Sequence, residues 1–105
     1  MRGDVHELRP PRDRRGHEQS GGPRYAVVLQ SDLLPLSTLL VAPTSTRARA
    51  ASFRPEVVVG DITTRVMVEQ TAAVDPSRLG RLVGHVGRRE LDAVERALEV
   101  VFHLR

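Results

Sequence analysis

Residues 25–30, YAVVLQ, are the stretch that decides the fold of this chain. They form an uninterrupted apolar run of strand length, and they contain the β-branched and aromatic residue types that favour strands. We therefore predict a central strand here.

On both sides of this run, shorter patterns predict further strands. We expect a first strand over residues 4–8, a third over 38–42 that Pro43 stops, and a fourth over 57–59 that ends at Gly60 and Asp61. Residues 65–69, RVMVE, predict a half-buried fifth strand, and residues 81–86 predict a last one. Residues 75–79, DPSRL, combine a helix cap with a proline at the first helical position, which predicts a single helical turn.

The C-terminal residues 88–104 have helical periodicity. Apolar side chains recur there at spacings of three and four, which puts one apolar face on the helix; these are Leu91, Val94, Leu98, Val101 and Phe102. The chain is thus expected to be mainly β, with five or six short, mostly antiparallel strands followed by a C-terminal helix. A curled sheet capped by that helix, forming one domain over residues 1–105, is the simplest assembly.

Composition excludes several classes of site. The chain has no cysteine, which rules out disulfides, thiolate nucleophiles and cysteine-based zinc sites. No apolar run reaches the roughly 20 residues of a membrane span, and the opening MRGD does not resemble a signal peptide. We expect a cytoplasmic location. His85 and His103 offer no ligand spacing, so we expect no metal and no cofactor.

The basic residues are all arginine, 16 in number, and the sequence pI is about 10.9. They are concentrated in two loop-like stretches, residues 9–15 (RPPRDRR) and residues 46–55 (TRARAASFRP). A guanidinium group grips phosphate through two parallel hydrogen bonds and stacks on bases, which an ammonium group does poorly. Two such stretches in one small chain predict an anionic partner.

Four segments, taken together in their order and spacing, resemble the MazF/PemK family of toxin–antitoxin ribonucleases. They are residues 2–5 (RGDV), 16–24 (GHEQSGGPR), 41–45 (VAPTS), and 68–71 (VEQT) with 74–79 (VDPSRL). The resemblance implies a small SH3-like barrel that forms a homodimer. It also implies a metal-independent, sequence-specific endoribonuclease that cuts single-stranded RNA by attack of the ribose 2′-hydroxyl, inhibits translation, and is neutralised by a cognate MazE-type antitoxin.

The same resemblance assigns roles to individual residues. Arg24, where the glycine-rich segment enters the central strand, is expected to stabilise charge on the scissile phosphate, and Thr44 is expected to donate a hydrogen bond to a phosphate oxygen. Glu18, His17 and Ser45 are expected to support these two catalytic residues. The expected RNA-binding residues are Gln70, Phe53, Tyr25, Arg47, Arg49, Arg14 and Arg15.

Two alternatives stay open at the level of sequence. A gyrase-inhibiting toxin resembling CcdB shares the small-barrel fold, but that family ends in Trp-Gly-Ile, whereas this chain has no tryptophan and ends in FHLR. The chain also departs from the MazF/PemK pattern at Tyr25, where proline is usual, at His6, where an aromatic is common, and at Ala72 and Ala73. These departures keep open a catalytically weak module that binds RNA or an antitoxin.

Overall fold

The computed structural model describes residues 1–10 and 24–104. These residues form seven strands, two single-turn 3-10 helices and one α-helix. The strands are β1 (Asp4–Leu8), β2 (Arg24–Val28), β3 (Leu39–Ser45), β4 (Glu56–Val59), β5 (Ile62–Val66), β6 (Ala72–Val74) and β7 (Leu79–His85). The 3-10 helices are Val68–Gln70 and Pro76–Arg78, and α1 is Arg88–Phe102.

All strand pairs are antiparallel, and the strands follow the order β4-β5-β3-β2-β1-β7, with β6 paired to β3. The two ends of this sheet approach each other. A Cβ atom built on Gly84 of β7 would lie 3.8 Å from a methyl group of Val59 in β4. The sheet is therefore curled into a half-barrel, as the sequence predicted.

The predicted central strand is confirmed as β2, and it is buried on both faces. Val27 of β2 lies in the main core cluster, together with Val94 and Ala97 of α1, which covers that side. Ala26 and Val28 lie in a second cluster on the opposite face. This arrangement explains why residues 25–30 carry no polar alternation. No helix within the described ranges is both long and apolar enough to cross a membrane.

The prediction that Pro43 stops the third strand is wrong, because β3 continues through it to Ser45. The Pro43 carbonyl accepts a hydrogen bond from the Met67 amide (2.8 Å), so it points away from β2. On that side β3 pairs with β6 at Leu39–Val41 and with β5 at Thr44 and Ser45. Pro43 falls between these two partners, where the ladder requires no N–H group.

The predicted fifth strand over 65–69 is displaced. The observed β5 begins at Ile62, directly after a two-residue turn in which Gly60 has a φ of +62°. A positive φ at the first turn residue is available to glycine without strain, and it lets β4 and β5 form a tight hairpin. The residues after Val66 instead form the first 3-10 helix, and β6 was not predicted.

The other predicted elements are confirmed with small shifts at their ends. The Asp75 side chain caps the second 3-10 helix by accepting a hydrogen bond from the Ser77 amide (2.9 Å). The last strand begins at Leu79, and α1 begins at Arg88 as expected. Phe102 does not belong to the buried face of α1, because 60% of it is exposed, whereas Ala97 is buried there.

Val57 and Val58 of β4 provide a matched test of this packing. Val57 is 1% exposed and lies in the main core, whereas Val58 is 53% exposed on the other face. We expect Val57→Ala to lower the free energy of unfolding by roughly 2 kcal/mol, since it leaves a cavity, and Val58→Ala to lower it by less than about 0.5 kcal/mol. Both variants lose the same strand propensity, so the difference between their free energies of unfolding, measured by urea denaturation, reports the effect of burial alone. Equal losses of stability would contradict the packing of Val57 in the core.

Candidate functional site

A groove of about 760 Å³ lies at the open end of the half-barrel. Successive side chains of a strand alternate between faces, so residues two apart share a face. On three strands, a groove-lining residue lies two positions from a core residue and so shares its face: Tyr25 with Val27 on β2, Thr44 with Ala42 on β3, and Thr64 with Val66 on β5. The groove therefore adjoins the core on the inner face of the sheet.

The groove is lined by three guanidinium groups, those of Arg24, Arg47 and Arg81. The side chains of Arg24 and Arg47 make no ion pair with any residue in the described ranges. Arg81 is 70% exposed, and its Nη2 lies 3.1 Å from Oε2 of Glu7. Asp61, in the β4–β5 turn, is the single carboxylate among the lining residues that the structure describes. The groove therefore carries a positive potential suited to an anionic chain.

Four serine and threonine side chains line the same groove, those of Thr44, Ser45, Thr46 and Thr64. Thr44 is 8% exposed, and its Oγ1 donates a 3.4 Å hydrogen bond to the carbonyl of Tyr25. Ser45 Oγ accepts a hydrogen bond from the Arg47 amide (3.1 Å), which turns the chain at the end of β3. Thr64 is 5% exposed, and its Oγ1 has no hydrogen-bond partner among the described residues.

Aliphatic side chains form the remainder of the lining. Val59, Ile62, Met67 and Val83 border the groove, and Ile62 is 52% exposed. With the Tyr25 ring they supply an apolar surface beside the charged groups. Such a combination of apolar surface and a few polar groups is typical of small-molecule and nucleotide sites.

The structure brings together five of the residues predicted from sequence, namely Arg24, Tyr25, Thr44, Ser45 and Arg47, all of which line the groove. Three others lie outside that lining. Arg49 and Gln70 are exposed elsewhere, and Phe53 packs against the main core with the Arg54 guanidinium 5.4 Å from its ring centre. The predicted residues Arg14, Arg15, His17 and Glu18 fall outside the described part of the chain.

An ion pair between Arg54 and Glu69 fixes the basic stretch 46–55 to the first 3-10 helix. Arg54 Nε and Nη2 both donate to Glu69 Oε2, at 3.0 Å and 2.7 Å, and Nη1 donates to the carbonyl of Arg49 at 3.3 Å. The hydrogen bonds from Arg54 hold the pKa of the Glu69 carboxyl below its ordinary value. The pair orders the segment that begins beside the groove at Arg47.

Sequence reasoning missed Arg81, Asp61 and Thr64 as groove residues. The signal for Asp61 was present, because a Gly-Asp pair between two strands is a hairpin turn, but no pattern indicates what a turn faces. Arg81 and Thr64 lie on strands whose inward faces are set by the curl of the sheet. Within residues 1–10 and 24–104, no group of three histidine, aspartate or glutamate side chains could hold a metal ion.

Comparison with known proteins places this chain among toxins. A family model of PemK-like, MazF-like toxins of type II toxin–antitoxin systems matches residues 1–102. A Mycobacterium tuberculosis (strain H37Rv) protein named "Putative toxin Rv3098A" is 38% identical over 99 residues, which cover 93% of this chain and 92% of that protein.

Solved structures share the fold at lower identity. The chain is similar to the Mycobacterium tuberculosis toxin MazF-mt6, with a TM-score of 0.79, 21% identity, and coverage of 97% of this chain and 98% of that one. It is also similar to an endoribonuclease in complex with its cognate antitoxin from a Mycobacterial species, with a TM-score of 0.80, 15% identity, and coverage of 100% and 96%. These likenesses confirm the half-barrel with a C-terminal helix.

The Thr64 hydroxyl, which has no partner in the part of the chain that the structure describes, leads to a prediction about stability. A buried hydroxyl without a partner costs about 1 kcal/mol or more, so Thr64→Val should raise the free energy of unfolding by roughly 1 kcal/mol. Thr63→Val, an exposed neighbour on β5, gains the same strand propensity and serves as the control. Urea denaturation of both variants measures the difference. If Thr64→Val is less stable than Thr63→Val, the hydroxyl has a partner.

Proposed function

This chain belongs to the family of PemK-like, MazF-like toxins of type II toxin–antitoxin systems, and on that premise we propose that it is a sequence-specific endoribonuclease that cuts single-stranded RNA without a metal ion. The observation that carries the proposal is the guanidinium of Arg24, which has no ion-pair partner within residues 1–10 and 24–104, in a groove that Thr44 and Tyr25 also line. A cation, a hydroxyl and an aromatic ring are groups that can bind a phosphodiester and its base.

RNA can be cut without a metal ion because it carries its own nucleophile. The ribose 2′-oxygen gives up its proton and attacks the adjacent phosphorus, and the bond from phosphorus to the 5′-oxygen breaks. The departing 5′-oxygen takes up a proton, which leaves a 2′,3′-cyclic phosphate and a 5′-hydroxyl. Negative charge accumulates on the phosphorane oxygens in between, and preorganised donors that stabilise such charge are usually the largest contribution to catalysis.

Arg24 is the group that we assign to this charge. It lies at the first residue of β2, so its backbone is held by the sheet. An arginine pKa above about 12 makes proton transfer a poor role for it, and stabilisation of the phosphorane is the role that its charge and geometry support. Thr44 Oγ1 is assigned to a phosphate oxygen. Its hydrogen bond to the Tyr25 carbonyl is long at 3.4 Å, so the hydroxyl can turn toward a bound phosphate at low cost.

The remaining partners follow from the charge of the groove. Arg47 and Arg81, which line the groove, are assigned to flanking phosphates, and the Tyr25 ring is assigned to stacking on a base. We further propose that the chain acts in the cytoplasm as a homodimer and that a cognate antitoxin neutralises it by laying an acidic, extended segment in the groove. The family match is to PemK-like toxins, and it gives no support to the gyrase-inhibiting alternative.

The test of this proposal uses the purified chain, single-stranded RNA and an excess of chelator. We expect cleavage that leaves a cyclic phosphate and a 5′-hydroxyl, and no cleavage of a substrate that lacks the 2′-hydroxyl at the cut site. Arg24→Ala should reduce the rate by roughly 10²- to 10³-fold, as the loss of one preorganised donor does elsewhere. Mass spectrometry of the products and single-turnover rates measure both results.

Arg88→Ala serves as the control for Arg24→Ala, because Arg88 is an exposed arginine at the start of α1, outside the groove. It should retain the parent rate. Equal rates for Arg24→Ala and the parent would remove the assignment of Arg24. Tight RNA binding by the parent chain without any cleavage would instead favour the catalytically weak module.

Arg81 gives an independent prediction for binding. If its guanidinium neutralises one phosphate, Arg81→Ala should make the plot of log affinity against log salt concentration shallower by about 0.7, the contribution of one contact to a single strand. Affinity should also fall evenly across RNA sequences. Fluorescence anisotropy over a salt series measures the slope, and Arg88→Ala should leave it unchanged. An unchanged slope for Arg81→Ala would place Arg81 outside the path of the RNA.

A further inference from the structure

Asp61 is out of place in a groove that binds phosphate. It lies in the turn between β4 and β5, it is exposed, and its carboxylate makes no hydrogen bond or ion pair with any described residue. A carboxylate repels a phosphate group and lowers the positive potential that Arg24, Arg47 and Arg81 create. A carboxylate only accepts hydrogen bonds, so the part of an RNA that suits this position is one that carries N–H donors.

The surroundings of Asp61 have the character of a site for a flat apolar ring. Val59 and Ile62 flank the turn, and Val83 of β7 lies across from it, so the carboxylate stands beside a largely aliphatic surface. Thr64, the next inward residue of β5 after Ile62, adds a buried hydroxyl that has no partner among the described residues. A nucleobase matches this combination, because its faces are apolar and its edges carry donors and acceptors.

We propose that this hairpin end of the groove, formed by Asp61 and Thr64 against Val59, Ile62 and Val83, is a base-recognition site and that it selects guanine. The inference rests on the proposed function for the class of ligand, single-stranded RNA. It goes further in naming one base and the side chain that recognises it.

The choice of guanine follows from hydrogen-bond chemistry. An ionised carboxylate only accepts hydrogen bonds, and its two oxygens fit two parallel N–H donors. On its Watson–Crick edge guanine presents the N1 and N2 donors side by side, whereas adenine, cytosine and uracil each place an acceptor next to their donor. In a single strand this edge is free to be recognised. The acceptor of any other base would face a carboxylate oxygen and weaken binding.

Two measurements test the site. The first selects bound sequences from a short randomised RNA pool that carries 2′-O-methyl groups, which can be bound but not cut in this way. The parent chain should enrich guanine at one position, and both Asp61→Asn and Asp61→Ala should lose that enrichment. A bidentate contact between a side chain and a base discriminates against the wrong base by roughly 5- to 150-fold. In the two variants this preference for guanine should disappear. Asp92→Asn, at a carboxylate of α1 outside the groove, should keep the enrichment.

The second measurement changes single atoms of the base. Replacing the selected guanine with inosine removes the N2 donor and should weaken binding to the parent chain by about fivefold or more, but it should have no effect on binding to Asp61→Ala. Replacing it with 7-deazaguanine alters the opposite edge and should leave the affinity for the parent chain unchanged. Fluorescence anisotropy with matched oligonucleotides measures both changes.

The outcomes separate this inference from the proposed function. If the parent chain cuts RNA but enriches no guanine, or if Asp61→Asn keeps the enrichment, the proposal of a base-recognition site is wrong, whereas the proposed ribonuclease activity is unaffected. If the parent chain enriches guanine through Asp61 but cuts no RNA, the base-recognition site is supported and the proposed ribonuclease activity is wrong. A parent chain that neither binds nor cuts RNA overturns both.

Discussion

The curl of the sheet depends on strand β3, one side of which forms hydrogen bonds with two different strands. Its first half pairs with β6 and its last two residues pair with β5, while its other side is paired with β2. Pro43 occupies the point of change, where its missing N–H group leaves no donor unsatisfied. The carbonyl of Pro43 binds the Met67 amide, which anchors the chain after β5. The division turns β5 away from β6 and curls the sheet.

That curl creates the groove, because it brings the β4–β5 hairpin toward β7. Val59 approaches the backbone of Gly84 there, and a short hairpin closes the gap between the two ends of the sheet. The inward faces of the strands are filled with valine and alanine in the core, and they end in tyrosine, threonine and arginine at the open end. The apolar core thus adjoins a polar site whose backbone is held in place by the hydrogen bonds between strands. Such rigid support is what a site that stabilises charge requires.

The charges of the groove divide by function. Arg24 and Arg47 have no ionic partner in the described part of the chain, and they remain available to phosphates. Arg81 forms a surface ion pair with Glu7. Because such a pair contributes little stability in water, exchanging Glu7 for a phosphate would cost little free energy. Asp61 opposes this pattern at the hairpin end. Under the proposed function, the arginines would contribute affinity through phosphates and Asp61 would contribute specificity through one base.

The amino-acid sequence by itself determined the kind of most elements and indicated two candidate catalytic residues. The apolar run at 25–30 specified a strand buried on both faces, the capped turn at 75–79 specified its own helix, and the order of motifs indicated Arg24 and Thr44. These features are local, since periodicity, caps and short motifs act over a few residues. The tertiary structure alone decided that β3 passes through Pro43, that Phe53 packs in the core, and that Arg81, Asp61 and Thr64 join the groove. Each of these depends on which strands lie side by side, and that is set by contacts between residues far apart in the chain.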